Sequence, residues 1–146
     1  MAVTYANRDP TDNGQPARGW MILQGFVLLA VAVLGLFAPV ADALHNLRFH
    51  IEGGEDAIHW VLGIAALVVG FAVRNARAVA LVAIVYGVTY LLVGVLGFFV
   101  NDIGPWHVAL GDNLLHLALG AVSLAVGLAT QRRTVTGRTT VRRSTA

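Results

Sequence analysis

The chain has 146 residues, enough for one domain, and 57% of them are hydrophobic while 12% are charged. Its mean hydropathy of +0.71 lies well above that of an ordinary soluble composition. The absence of cysteine excludes disulfides, thiolate catalysis and Cys-based zinc or iron–sulfur sites, and the absence of lysine makes all ten positive side chains arginine.

Residues 1–18 read as a polar tail, with Asn-Arg-Asp-Pro-Thr-Asp-Asn-Gly-Gln-Pro supplying turns and no periodicity. Four apolar segments follow, at about 20–41, 57–73, 78–100 and 108–130. A helix that crosses a bilayer core needs about 20 mostly apolar residues, with a usual range near 17–25. All four meet that range, the second as the shortest and the fourth with Asp112 near its start. Ala41-Asp42-Ala43 has the small-x-small form of a cleavage site, but the first run exceeds the roughly 7–15 residues of a signal-peptide core. It also has an internal counterpart, so it is expected to be retained. Gly25, Ala32 and Gly35 recur 62 residues on as Gly87, Gly94 and Gly97.

The second and fourth segments match at an offset of 57. Glu55-Asp-Ala-Ile-His59-Trp-Val-Leu-Gly63 pairs with Asp112-Asn-Leu-Leu-His116-Leu-Ala-Leu-Gly120, and each is followed seven residues later by another glycine, Gly70 or Gly127. Acid, histidine and glycine four apart share one helix face. Two helices per copy is an even number, so both copies enter the membrane in the same direction. The expected fold is therefore all-α: an integral membrane four-helix bundle made of two parallel-repeat helical hairpins.

Between the first two segments, Leu44, Leu47 and Ile51 fall at helical spacing, which predicts a short interfacial turn broken by Gly53-Gly54. In the corresponding later loop, Gly104-Pro105 marks a turn and Trp106 an interface anchor, as do Trp20 and Trp60 near other boundaries. Residues 131–146 are rich in Arg and Thr and are expected to be a disordered tail resting on anionic headgroups. Nine of the ten arginines fall on one side of such a bundle; Arg48 stands opposite, among Asp42, Glu52, Glu55, Asp56, Asp102 and Asp112. The positive-inside rule then puts both termini in the cytoplasm of a multi-pass plasma-membrane protein.

In lipid, helices associate by close backbone approach at small residues. Gly63, Gly70, Gly120, Gly127, Gly87, Gly94 and Gly97 are accordingly helix-packing positions, with Ala66-x-x-x-Gly70 and Ser123-x-x-x-Gly127 as equivalent pairs. The five histidines, His45, His50, His59, His107 and His116, all fall on the outer side or in the first turns of the second and fourth segments. On a structural reading, Glu55, Asp56 and Asp112 cap helix N-termini, and His59 and His116 face each other across the pseudo-twofold axis. Two sharper readings stand beside it. A divalent metal would be held by His45, His50, Glu52, Glu55, Asp56 and His59, although no HxxxH or HExxH spacing occurs. Haem would be held between His59 and His116, with the glycines one turn below making room for its ring. A proton relay through the acid–histidine pairs is a third use of the same residues.

No nucleophile elbow, P-loop or dinucleotide fingerprint is present, so no enzymatic activity is expected. The terminal arginines lack aromatic company for nucleic-acid readout. The expected partners are the lipid bilayer and a second copy or another membrane protein. Val85-Tyr-Gly-Val-Thr-Tyr-Leu-Leu-Val-Gly-Val-Leu-Gly-Phe-Phe99, followed by Asp112-Asn-Leu-Leu-His-Leu-Ala-Leu-Gly120, resembles a family of small bacterial membrane proteins catalogued as domain of unknown function 4383. Asn113, His116 and Gly120 match its Asn-x-x-His-x-x-x-Gly pattern; His59 and Gly63 match it in the first half, with Asp56 in place of Asn. The resemblance covers roughly residues 20–130, implies four helices and carries no activity.

Overall fold

The computed structural model describes residues 15–46, 48–49, 53–100, 102–103, 106–107 and 109–144. The protein is helical: α1 (Gln15–Leu34), α2 (Ala38–Asn46), α3 (Gly53–Ala72), α4 (Ala76–Leu96) and α5 (Leu110–Ser144). Before α5, β1 (Asp102–Ile103) pairs antiparallel with β2 (Trp106–His107). Residues 1–14, Leu47, His50, Ile51, Glu52 and Gly104-Pro105 of the sequence expectations lie outside the described residues.

Among the described residues, three helices are long and apolar enough to cross a membrane: Pro16–Leu34, Ala76–Leu96 and Leu110–Arg133. The apolar part of α3, Ala57–Ala72, falls short of that length. The described side chains are arranged the reverse of a water-soluble fold. Small residues fill the interior, among them Ala17, Ala32, Ala66, Ala80 and Ala83, while Leu23, Phe26, Val61, Phe71 and Val85 are exposed by more than half. This pattern is compatible with a membrane protein, whose helices meet at small residues and turn large apolar ones to lipid.

α1 packs on α3 and α4 on α5, and the two pairs meet chiefly along α1 and α4. Ala17 and Met21 of α1 share a cluster there with Val79, Ala80 and Ala83 of α4. Within each pair the helices run antiparallel, and glycines set their separation. A side chain on Gly25 would come within 2.7 Å of Leu67 and 2.9 Å of the Gly63 carbonyl; one on Gly70 would meet Ile22. In the other pair a side chain on Gly87 would come within 2.5 Å of the Leu124 backbone nitrogen, one on Gly120 would meet Leu91, and one on Gly127 would meet Ile84. Gly87, Ile84 and Leu91 stand 62 residues after Gly25, Ile22 and Leu29; Gly120, Leu124 and Gly127 stand 57 after Gly63, Leu67 and Gly70.

The helix ends differ from the sequence expectations, for local reasons. The first apolar run is not one helix over 20–41: α1 stops at Leu34, a turn follows, and α2 begins at Ala38. Pro39 has no N–H for the Gly35 carbonyl and its ring would clash with it, whereas the second position of a new helix tolerates proline. Gly53-Gly54 opens α3 rather than preceding it, in the first turn where backbone N–H groups need no helical partner. α4 stops at Leu96, short of the expected residue 100, and the Gly97 carbonyl beyond it accepts from Asn113 Nδ2 at 2.7 Å. Finally α5 continues to Ser144 through the Arg/Thr-rich stretch that composition reads as disordered. Arginine is a good helix former, and extending a helix already nucleated avoids the costly first turn.

Candidate functional site: a polar interior among apolar helices

The positions singled out by sequence fall into three groups. The glycines Gly25, Gly63, Gly70, Gly87, Gly94, Gly97, Gly120 and Gly127 all lie where a side chain would press on a neighbouring helix. A side chain on Gly63 or Gly120 would press on Leu29 or Leu91, so both glycines serve close approach of the helices.

The acids come next. Asp112 Oδ2 accepts from the Ala109 backbone N–H at 3.0 Å, while the Ala109 carbonyl accepts from Asn113 N, which is the acid's half of a capping box. Glu55 and Asp56 fall in the first turn of α3. His45 is exposed in the last turn of α2, and His50 lies outside the described residues. Among the described residues, no three of His, Asp and Glu come together as a metal-ion cage.

The two histidines of the paired segments do approach each other: His59 and His116 are close enough to interact electrostatically. His116 does not stand alone there. Its ring stacks on Tyr90 with centroids 5.4 Å apart and planes at 21°. Tyr90 in turn lies against Gln24 of α1 and 6.2 Å from the ring of Tyr86. From Gln24 the chain of contacts continues: Ser123 Oγ donates to Gln24 Oε1 at 3.0 Å, and Trp20 Nε1 donates to Ser123 Oγ at 2.7 Å. Tyr86 Oη donates to the Leu62 carbonyl of α3 at 2.8 Å. A polar line therefore runs through the contact of α1, α4 and α5, from Trp20 to His116 and His59.

Sequence reasoning found the histidines and missed the rest of this line. Gln24 is completely buried in a run of Met, Ile, Leu and Phe, and a lone amide in such a run needs an interior partner. That was the available signal. Trp20, expected as an interface anchor, turns its indole N–H inward to Ser123. Arg18, expected only as a flanking charge, donates from Nη1 to the Gly70 carbonyl at 3.2 Å and from Nη2 to the Val73 carbonyl at 2.8 Å. It thereby closes the C-terminal end of α3, whose last carbonyls have no partner within their own helix.

The connection between α2 and α3 is also tied down. The Gly111 N–H, free of helical bonding at the start of α5, donates to the Arg48 carbonyl at 2.9 Å. Arg48 reaches this position in the left-handed region, at φ 64°. Comparison with known families, with curated proteins and with solved structures finds no match to this chain.

Proposed function

We propose that this protein is a non-enzymatic integral membrane protein, a four-helix bundle of two like-oriented hairpins that serves as a structural or accessory component of the plasma membrane. The observation that carries the reading is the inverted distribution of size. Alanine and glycine lie at the helix contacts and Leu, Val and Phe on the outside. A fourth crossing by α3 is supported by its 20 residues, about 30 Å of helix, laid antiparallel along α1. Descent of the two hairpins from one unit is supported by the glycine contacts that recur at offsets of 62 and 57. The distribution of arginine supports cytoplasmic termini.

The test has two parts. Reporter fusions at each terminus should both report the cytoplasmic face, and the protein should stay with membranes after alkaline carbonate washing. Mild solubilisation should then yield a defined oligomer or a fixed protein partner. Recovery of a monodisperse, partner-free monomer would remove the accessory role, and release by carbonate would remove the membrane reading itself.

A further inference from the structure

We propose that the first hairpin, α1 with α3, holds the cytoplasmic leaflet of the bilayer thinner than the second hairpin, α4 with α5, does. The inference rests on the membrane reading above, with the two hairpins oriented alike, and adds to it a partner: a phospholipid leaflet drawn down to the level of a fixed charge.

The charge is that of Arg18. A guanidinium in hydrocarbon is costly, and an arginine near a helix end ordinarily stretches outward to the headgroups. Arg18 is not free to do so, because Nη1 and Nη2 donate to the Gly70 and Val73 carbonyls at 3.2 and 2.8 Å. Its charged end is therefore fixed at the level of the last turn of α3, inside Arg74. The side chain is only half-buried, so water and headgroups have access to it and must come down to Gly70–Val73 to solvate it.

The second hairpin lacks this device. The position 62 after Arg18 is Ala80, which is completely buried. Gly127 and Thr130 stand 57 after Gly70 and Val73, and a side chain on Gly127 would meet Ile84 and the Ala80 carbonyl instead. On α5 the first cation is exposed Arg132, five residues beyond Gly127 and two beyond Thr130. At the other end the hairpins are level, since α1 stops at Leu34 and α4 at Leu96, again 62 apart. The apolar lengths agree: Ala57–Ala72 on α3 has 16 residues and Leu110–Arg133 on α5 has 24. At 1.5 Å per residue these are about 24 and about 36 Å, against a hydrocarbon core of about 30 Å. Tilting would shorten the reach of the first hairpin further, so the bilayer is left to thin around it.

The experiment is spin-label depth measurement on the full chain in vesicles of dioleoyl phosphatidylcholine and phosphatidylglycerol. The chain has no native cysteine, so one nitroxide at a time is attached through Phe71→Cys or through Leu128→Cys, its counterpart 57 residues on; both positions are exposed. Val61→Cys and Ala118→Cys form a second exposed pair, nearer the opposite face. Collision with oxygen and with a water-soluble nickel complex gives the depth of each label. The label at position 71 should lie about 3–7 Å closer to water than that at 128, the two to five residues above at 1.5 Å each, with 61 and 118 equally deep. In Arg18→Leu the label at 71 should sink toward the depth of that at 128.

Equal depths at 71 and 128 overturn the inference, as does a label at 71 that stays in place in Arg18→Leu. A label at 61 that is deeper than that at 118 by the same amount overturns it too, because the hairpin has then slid toward the cytoplasm without thinning anything. So does a label at 71 screened from both reagents, which is covered by protein and not by lipid. The four labels with Arg18 in place decide the matter even if Arg18→Leu does not fold. Access of the nickel complex to all four positions is a different failure: it removes the membrane reading itself, and this inference with it.

Discussion

Gly87 and Leu124 meet backbone to backbone: a methyl group on Gly87 would sit 2.5 Å from the Leu124 nitrogen. No rotamer change relieves such a contact, so α4 and α5 would have to move apart along their whole interface. Gly87→Ala should therefore destabilise the protein by about 1–3 kcal/mol, the usual cost of overpacking. Gly19 is the control, because nothing lies within 4 Å of the side chain it lacks. Gly19→Ala should be neutral or stabilise by about 0.5–1 kcal/mol, since glycine is a poor residue within a helix. Unfolding in mixed micelles with increasing sodium dodecyl sulfate measures both, and equal effects would contradict the packing described.

Arg18 gives a second prediction. Its guanidinium bridges the Gly70 and Val73 carbonyls with separate nitrogens. Arg18→Leu removes a charged donor from both, at about 1.5–3 kcal/mol per hydrogen bond in full burial and toward the low end at this half-buried place. Arg18→Lys keeps a charge beside the C-terminal end of α3 but has no planar fork, so it should restore less than half the loss. Hydrogen exchange should localise the effect, with amides at the end of α3 losing protection before those near Gly63.

These two cases also mark how far the amino-acid sequence discloses the structure. The glycine contacts were legible because a side chain's absence leaves a spacing, and Gly25, Gly63, Gly87 and Gly120 kept theirs at fixed offsets. Arg18 was legible only as a charge, because nothing local tells which carbonyls a long side chain will reach 52 and 55 residues away. The break before Pro39 was overlooked because the run is apolar on both sides of it, and hydropathy does not register the missing N–H. In the polar interior the two histidines declared themselves through their matched segments. Gln24 and Tyr90 carried no such match: the position 62 after Gln24 is Tyr86, so this line breaks the correspondence between the halves.

Ser123 stands at the junction of that line, accepting from Trp20 and donating to Gln24. Ser123→Ala leaves an indole N–H and an amide oxygen unmet together, and should cost about 1–3 kcal/mol. Trp20→Phe removes one of the two orphans, so the double variant should be less damaged than the sum of the single ones. The coupling should be about 0.6 kcal/mol and no more than about 1.7 kcal/mol, the average and the maximum for hydrogen bonds between helices in lipid. Strict additivity in the unfolding titration would mean that the Trp20–Ser123 bond contributes nothing.

The last prediction concerns the latch between Arg48 and Gly111. Two features oppose each other here. The left-handed backbone of Arg48 costs about 1–2 kcal/mol in a residue with a Cβ. The bond from Gly111 N–H to the Arg48 carbonyl offsets part of that cost and holds the loop over the start of α5. Arg48→Gly keeps the carbonyl and removes the strain, while adding about 0.5–1 kcal/mol of chain entropy to the unfolded state. The net should be neutral or stabilising by up to about 1 kcal/mol, and the loop should stay in place. Gly111→Ala acts the other way, since its methyl would come within 2.6 Å of the Arg48 carbonyl oxygen and 3.0 Å of the Phe49 ring. It should release the loop without unfolding the helices. The chain has no native cysteine, so a single cysteine at Phe49 can report this with a water-soluble thiol reagent. Labelling should be slow in the otherwise unchanged protein, faster with Gly111→Ala and unaltered with Arg48→Gly; equal rates in all three would show that the loop is not held by this bond.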